Sequence, residues 1–196
     1  MTINDITILK FQEIQAAIEM NPDNEIAQWY NILPLFTDKT KEDYKRMKFT
    51  DFQKVIKKFE WLNSFQMPDE WVKSFHCGDE LFYVTQEVTE WNTEQFISMS
   101  NLTKDSSQII NNLHLILATL CYKVKGEDVQ LDEFDRRAKL FQDNLSIVTA
   151  YPIGFFFALV NAKLSTSTKF FSIMKRLANR KAKVIGLGRS GVGMQS

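Results

Sequence analysis

The spacing of apolar residues along the chain indicates helices in its first third. The clearest run consists of Phe52, Val55, Ile56, Phe59 and Leu62. These intervals of three and four place the apolar side chains on one helical face, with Lys54, Lys57 and Lys58 turned mostly outward. Thr50 and Gln53 match a capping box, which predicts that this helix begins at Thr50.

Shorter helices are predicted before this one. Thr7 is placed to cap a helix that ends at the turn-forming residues 21–24. A second helix is predicted from Glu25 towards Phe36, and residues 41–47 can form one or two further turns. The first third of the chain therefore reads as a set of short helices joined by polar links.

The pattern changes near the middle of the chain, where apolar and polar residues alternate on both sides of Gly78 and Asp79. Alternation around a Gly-Asp turn is typical of a β-hairpin, which we place near residues 71–86. An isolated hairpin is only marginally stable in water, so we expect it to pack on the helices.

The second half of the chain is again helical in pattern. Residues 106–122 carry an apolar stripe that predicts one helix of about four turns. After a further helix that follows Asp132, Pro152 is expected to break the chain and start a helix over residues 153–175. In that last helix apolar residues cover more than one face.

Composition supports a mainly α protein: a helical bundle with the small β-hairpin inserted near residues 71–86. Four of the seven glycines lie at the end of the chain, so the body has few helix breakers. Four regions are expected: a helical region (1–66), the hairpin (67–88), a second helical region (89–182) and a flexible, basic, Gly-rich tail (183–196).

Charge and targeting features narrow the function classes. The 24 basic and 24 acidic side chains balance, so a general affinity for nucleic acid or for an anionic membrane is not expected. The first residues lack the features of a signal peptide. The longest apolar cluster, residues 151–160, is about half the roughly 20 residues that cross a bilayer. We therefore expect a protein kept in a reducing cytosol, with no membrane partner.

No set of residues predicts catalysis, a cofactor or a metal. Residues 186–191 match G-x-G-x-x-G, but the strand before and the helix after that the nucleotide motif needs are missing. His76 and Cys77 are adjacent, so they point to opposite faces of a strand. Cys121 falls on an apolar stripe, whereas Cys77, beside a turn, is the more exposed and the more reactive thiol in this interpretation. A function of a different class, a small helical enzyme that uses Cys77, remains an alternative hypothesis.

Two features are better explained by partners. Phe155, Phe156 and Phe157 cannot all face one core, so this helix is either buried on all sides or exposes one side to another chain, including a second copy. The second feature is a run of cations near the C-terminus. It consists of Lys175, Arg176, Arg180, Lys181, Lys183 and Arg189. These residues form either a solvated helix end or an arm for an acidic protein or nucleic acid.

The order of these segments resembles small helical proteins of tailed bacteriophages, in particular tail assembly chaperones. The segments that carry the resemblance are residues 6–15, 29–33, 61–63, 82–84, 93–97 and 113–118. The resemblance implies a non-catalytic helper, without a cofactor, that binds a tail or tape-measure protein in the host cytoplasm. The alternative is a structural virion protein at the head–tail junction, in the tail or in the baseplate, which the basic tail favours.

Overall fold

The computed structural model describes residues 2–64, 66, 68, 70–85, 90–124, 127 and 131–166 of the chain. It confirms the predicted class, a mainly α-helical fold with a small antiparallel sheet. The helices in these residues are α1 (Ile8–Glu19), α2 (Glu25–Ile32), α3 (Lys41–Arg46), α4 (Phe49–Lys57), α5 (Trp61–Ser64), α6 (Thr93–Leu102), α7 (Leu113–Leu120), α8 (Leu131–Asn144) and α9 (Ile147–Thr166). The strands are β1 (Ser74–Cys77), β2 (Glu80–Val84) and β3 (Cys121–Tyr122), in the order β1-β2-β3.

Two capping residues were predicted for the N-terminal helices, and the structure confirms one of them. The Thr7 side chain accepts a hydrogen bond from the backbone amide of Lys10 at 3.3 Å and caps α1. The predicted capping box at Thr50 is wrong, because α4 begins one residue earlier, at Phe49. The backbone carbonyl of Lys48 already accepts bonds from the amides of Asp51 and Phe52, at 2.9 and 3.0 Å. Backbone hydrogen bonds, not a side-chain cap, therefore start this helix.

The hairpin prediction is confirmed. Strands β1 and β2 pair antiparallel, with Phe75 opposite Phe82 and Cys77 opposite Glu80. Gly78 in the turn has a φ of 58°, a conformation that glycine adopts without steric penalty. The hairpin packs its buried residues into the main core, as expected for a small sheet that is not stable alone.

The helix predicted for residues 106–122 is too long at both ends: α7 spans only Leu113–Leu120, Ser106–Gln108 form a separate 3-10 turn, and a third strand replaces the predicted helix end. Helix α7 ends at Leu120, and Cys121 then takes an extended backbone conformation and pairs with Val84 of β2. The Thr85 amide and hydroxyl both donate to the Leu120 carbonyl, at 3.0 and 2.8 Å. In a longer helix the Leu120 carbonyl would accept a bond from an amide one turn further along. Here Thr85 supplies the donors instead, so the helix ends and the chain joins the sheet.

Pro152 does not break the last helix, contrary to the sequence prediction. Helix α9 begins at Ile147, five residues before the proline, because two backbone bonds fix its start against the N-terminal segment. The Ile147 amide donates to the Ile6 carbonyl at 2.8 Å, and the Ile8 amide donates to the Leu145 carbonyl at 3.0 Å. The predicted extension of this helix from residue 167 to 175 lies outside the described residues.

Two groups of buried side chains form the core. The main group combines the N-terminal segment, the sheet and helices α6 to α9. The smaller group contains Ala17, Trp29, Ile32, Leu33, Tyr44 and Phe52. Helix α1 contributes to both groups, with Ile14 in the main one and Ala17 in the smaller one. This helix therefore joins the two parts of the molecule.

Close packing between α7 and α9 depends on a residue without a side chain. A Cβ atom at Gly154 of α9 would overlap the Cδ1 atom of Leu113 of α7. Leu113 is fully buried, so its side chain has little room to move away. The two helices approach each other at this point because residue 154 is glycine.

A buried arginine connects α8 with the sheet. The Arg137 side chain is 1% exposed and its guanidinium donates to the Cys121 carbonyl at 2.7 Å. The guanidinium also pairs with the Glu127 carboxylate at 2.9 Å and lies 5.5 Å from the centre of the Phe82 ring. Charge, hydrogen bonding and a cation–π contact offset part of the loss of water around this cation, whose buried Nε atom has no hydrogen-bond partner among the described residues.

We expect Arg137→Met to lower the free energy of unfolding by about 2–3 kcal/mol, because it leaves the buried Cys121 carbonyl without its donor and the Glu127 carboxylate without its counter-ion. Lys139→Met is the control, since Lys139 is exposed on the same helix and pairs only with Asp143; we expect a change below about 1 kcal/mol. Urea unfolding followed by circular dichroism measures both. Equal effects of the two substitutions would contradict a special role for the buried guanidinium.

Candidate partner-binding surfaces

The three consecutive phenylalanines of α9 have three different environments. Phe157 is fully buried, and its ring lies 5.6 Å from the Trp71 ring and 5.7 Å from the Trp91 ring. Phe155 is half-buried and stacks on Tyr151 at 4.0 Å between ring centroids. Phe156 is 41% exposed. The alternative of a helix buried on all sides is therefore wrong, because one side of α9 is exposed.

Phe156 belongs to an apolar surface that we name the Phe156 surface. It consists of Phe156, Leu159 and Trp71. Leu159 lies one turn further along α9, on the same side as Phe156, and is 62% exposed. The half-buried Trp71 ring lies 5.5 Å from the Phe156 ring. Phe157 beneath contacts both Trp71 and Phe156, so a packed aromatic layer supports the exposed side chains.

The basic run near the C-terminus lies outside the described residues. This applies to Lys175, Arg176, Arg180, Lys181, Lys183 and Arg189, and to the G-x-G-x-x-G sequence of residues 186–191. Their predicted role as an arm for a partner stays a prediction. In sequence, they follow the end of α9, the helix that carries the Phe156 surface.

The structure also shows a groove that the apolar pattern alone did not reveal. It lies between α2 and α4 and has a volume of about 410 Å³. Its lining is mixed, and the apolar residues in it include the buried Trp29 together with Ile26 and Phe49, which are 44% and 56% exposed. Its charged residues balance, because Lys54 and Lys57 of α4 face two glutamates, Glu25 of α2 and Glu60. We name this feature the α2–α4 groove.

Basic residues are concentrated in one stretch of the sequence, and two of them, Lys54 and Lys57, line the groove. Residues 39–58 contain Lys39, Lys41, Lys45, Arg46, Lys48, Lys54, Lys57 and Lys58, all of them exposed. The same interval contains three acids, and each has a local partner: Glu42 pairs with Lys45, Asp51 with Lys54, and Asp43 bonds to the capping Thr40. Residues 39–58 thus hold an excess of basic residues, although the chain as a whole is neutral.

Both cysteines are buried and free, so the prediction that Cys77 is the more exposed of the two is wrong: the exposed fractions are 2% for Cys77 and 3% for Cys121. Cys77 is the last residue of β1 and faces the core, where its Sγ donates weakly to the Leu140 carbonyl at 3.6 Å. Burial, with a smaller effect of the nearby Glu80 carboxylate, raises the pKa of the Cys77 thiol to about 11. Burial also raises the pKa of Cys121. Neither thiol is therefore in the thiolate form at neutral pH, which nucleophilic attack needs.

A surface network joins the hairpin to α8. The Arg136 guanidinium binds both oxygens of Glu80, at 2.7 and 2.9 Å, and also binds Glu133 at 2.7 Å. Lys123 pairs with the same two carboxylates, at 2.7 and 3.0 Å. Hydrogen bonds from Arg136 and then from Lys123 lower the pKa of Glu80 and of Glu133 to about 2. Both carboxylates are ionised and paired with Arg136 and Lys123, so neither is placed to donate a proton near pH 7.

This network predicts a defined dependence of stability on pH. The pKa of Glu80 and Glu133 in the folded protein is about 2, below the ordinary value of 4.5. Their contribution is therefore complete above about pH 4.5 and is lost as the pH falls towards 2. We expect the Glu80→Gln, Glu133→Gln double variant to flatten the fall in unfolding free energy over this range. Glu19→Gln, at an exposed site outside the network, serves as the control. Urea unfolding at stepped pH measures the effect, and unchanged slopes would contradict it.

The buried thiols lead to a second expectation. Both cysteines should react with a thiol reagent at about pH 8 at least about 100-fold more slowly in the folded than in the urea-unfolded protein. Cys77→Ser should leave partner binding intact, because the thiol contacts only the core. Loss of function in a Cys77→Ser protein with unchanged circular dichroism would instead show that this sulfur takes part in the activity.

Comparison of the chain with protein family models, with curated proteins and with solved structures found no match. Within residues 2–166 as far as they are described, no helix is both long and apolar enough to cross a membrane. In the same residues no group of three or more His, Cys, Asp or Glu side chains is arranged to hold a metal ion. The Phe156 surface and the α2–α4 groove are two places where large apolar side chains stand exposed beside further aromatic or charged groups.

Proposed function

We propose that this protein works without catalysis, by binding another protein through an apolar helical surface, in the manner of a bacteriophage tail assembly chaperone. The partner in this proposal is a tail or tape-measure protein that is held in the host cytoplasm until the tail forms. The order of sequence segments supports the phage context. The Phe156 surface carries the binding part of the proposal.

The physical reason lies in the exposed side chains of α9. Phe156 and Leu159 occupy one side of a helix whose other side is buried in the core. A partner helix that covers them removes two large apolar side chains and the edge of Trp71 from water, which is favourable. The buried Phe157 beneath keeps this surface in place, so little order has to be created on binding. Apolar helices that would otherwise aggregate are suited to such a surface.

We expect Phe156→Asp to abolish association with the partner while leaving the far-UV helicity largely intact. Phe156 is partly exposed, so the fold tolerates a charge there, but a charge at the centre of an apolar interface stays without a partner. Co-purification from cells that express the tail proteins, followed by mass spectrometry, identifies the partner and measures its loss.

Two control variants make this experiment specific. Ile97→Asp introduces the same charge at a comparably exposed apolar residue of α6 and should keep binding. Phe157→Asp places the charge in the core and should unfold the protein. If Phe156→Asp binds the partner as the unchanged protein does, the Phe156 surface is not the binding site.

The alternative of a permanent virion protein predicts a different location. A chaperone is absent from purified particles, whereas a structural protein is present in a fixed copy number. Quantitative mass spectrometry of purified particles distinguishes them. The basic residues from Lys175 to Arg189 favour the alternative, because extended basic arms suit contacts between neighbouring subunits.

A further inference from the structure

A group of polar side chains, which we name the His114 cluster, joins helix α1 to α7 and α8. The side-chain nitrogen of Gln12 in α1 donates to the backbone carbonyls of Ile110 and Asn111, each at 3.0 Å, just before α7 begins. The Gln12 side-chain oxygen accepts from the Gln142 amide of α8 at 2.9 Å. The half-buried His114 of α7 completes the cluster, with its Nδ1 atom 3.4 Å from the Gln12 nitrogen. One side chain of α1 is therefore bonded both to α8 and to the turn that leads into α7.

The bonds of Gln12 determine which form of the His114 ring fits beside it. The Gln12 nitrogen uses both of its hydrogens for carbonyl oxygens. If the amide turned round, its oxygen would face those two carbonyls and would lose both bonds. The neighbouring Nδ1 atom is therefore an acceptor, as in a neutral imidazole that carries its proton on Nε2. Protonation of His114 places a further N–H group against the Gln12 nitrogen, and neither group can accept from the other.

The charges near the His114 ring also oppose its protonation. Burial lowers the pKa of His114, and the Lys139 ammonium of α8 lowers it further. Lys139 pairs with Asp143 of the same helix at 2.8 Å, and on α1 the Lys10 ammonium pairs with Glu13 at 2.7 Å. No carboxylate in the described part of the chain bonds to the His114 ring. A positive charge on this ring is therefore repelled and has no counter-ion in the folded protein.

We propose that the His114 cluster is a pH-sensitive junction, in which protonation of His114 loosens α1 from α7 and α8. Helix α1 places Ile14 in the main core and Ala17 in the smaller one. When α1 loosens, the attachment of the smaller core, with α2 to α4, to the main core weakens as well. This device lies apart from the Phe156 surface and does not depend on the function proposed above.

The direction of the pH effect follows from the lowered pKa. The ordinary pKa of histidine is 6.5, and that of His114 in the folded protein lies below it. As the pH falls below 6.5, the unfolded chain therefore binds more protons at this residue than the folded protein does, and stability decreases. The stabilising contribution of neutral His114 is complete above this pH. The Glu80 and Glu133 contributions are lost only below about pH 4.5, so the interval between the two values reports on histidine.

Urea unfolding of the full chain between about pH 7.5 and pH 5 tests this proposal. We expect the urea midpoint of the unchanged protein to fall on acidification, and His114→Asn to remove most of that fall. Asparagine offers an uncharged oxygen acceptor close to the position of Nδ1. His76→Asn is the matched control, because His76 is the second histidine of the chain and is exposed on β1. This variant should lose stability on acidification as the unchanged protein does.

Hydrogen exchange followed by mass spectrometry locates the effect in the fold. At about pH 5.5 we expect the amides of α1 to exchange about fivefold or more faster in the unchanged protein than in His114→Asn. At about pH 7.5 the two proteins should exchange equally, because His114 is then neutral. Each comparison is made at one pH, so the pH dependence of the exchange chemistry cancels. The amides of α9 are the internal control and should differ by less than about twofold at either pH.

An NMR titration of the imidazole signals gives a test that does not require His114→Asn to fold. The His114 signal is the one that remains in His76→Asn, and its midpoint should lie at lower pH in the folded than in the urea-unfolded protein. Three results would overturn the proposal. They are a folded midpoint equal to or above the unfolded one, a His114→Asn protein that loses stability as steeply as the unchanged protein, and faster exchange that is equal in α1 and α9.

Discussion

The junction between the sheet and the helices depends on one buried cation. The Arg137 guanidinium reaches from α8 to the carbonyl of Cys121, where the chain leaves α7 and enters β3. Without this donor, a carbonyl beneath the sheet would have no counterpart in the core, which is costly in an apolar environment. The ring of Phe82 lies against the same guanidinium, so the hairpin is fixed at the same point. Helix α8, strand β3 and the hairpin therefore meet at the Arg137 guanidinium.

Two groups of buried side chains support different parts of the surface. The main core supports α9 and the Phe156 surface, while the smaller core supports the α2–α4 groove. Helix α1 is the element that contributes buried side chains to both.

Much of the fold could be predicted from local sequence. Spacing of apolar residues located the helices, and the alternation around Gly78 located the hairpin, because both signals reside in neighbouring residues. The errors came from contacts distant in sequence. Strand β3 exists because Val84 pairs with Cys121, and α9 starts before Pro152 because Ile6 accepts from the Ile147 amide. No local pattern contains these contacts.

The candidate surfaces were predictable only in part. The run of three phenylalanines indicated that one side of the helix could be exposed, but not which ring, since that depends on how α9 is turned against α7. The groove was missed because its lining comes from two helices. The exposed Phe49 precedes the apolar run of α4 and looked like a residue outside that helix.

The glycine at position 154 determines the orientation of α9. Because any side chain there would collide with Leu113, the helix cannot roll about its axis to hide one phenylalanine and present another. The outward position of Phe156 is thus set by a missing group on the opposite side of the same helix. Substitution of residue 156 would change only the exposed ring, whereas substitution of residue 154 would displace that entire side of α9.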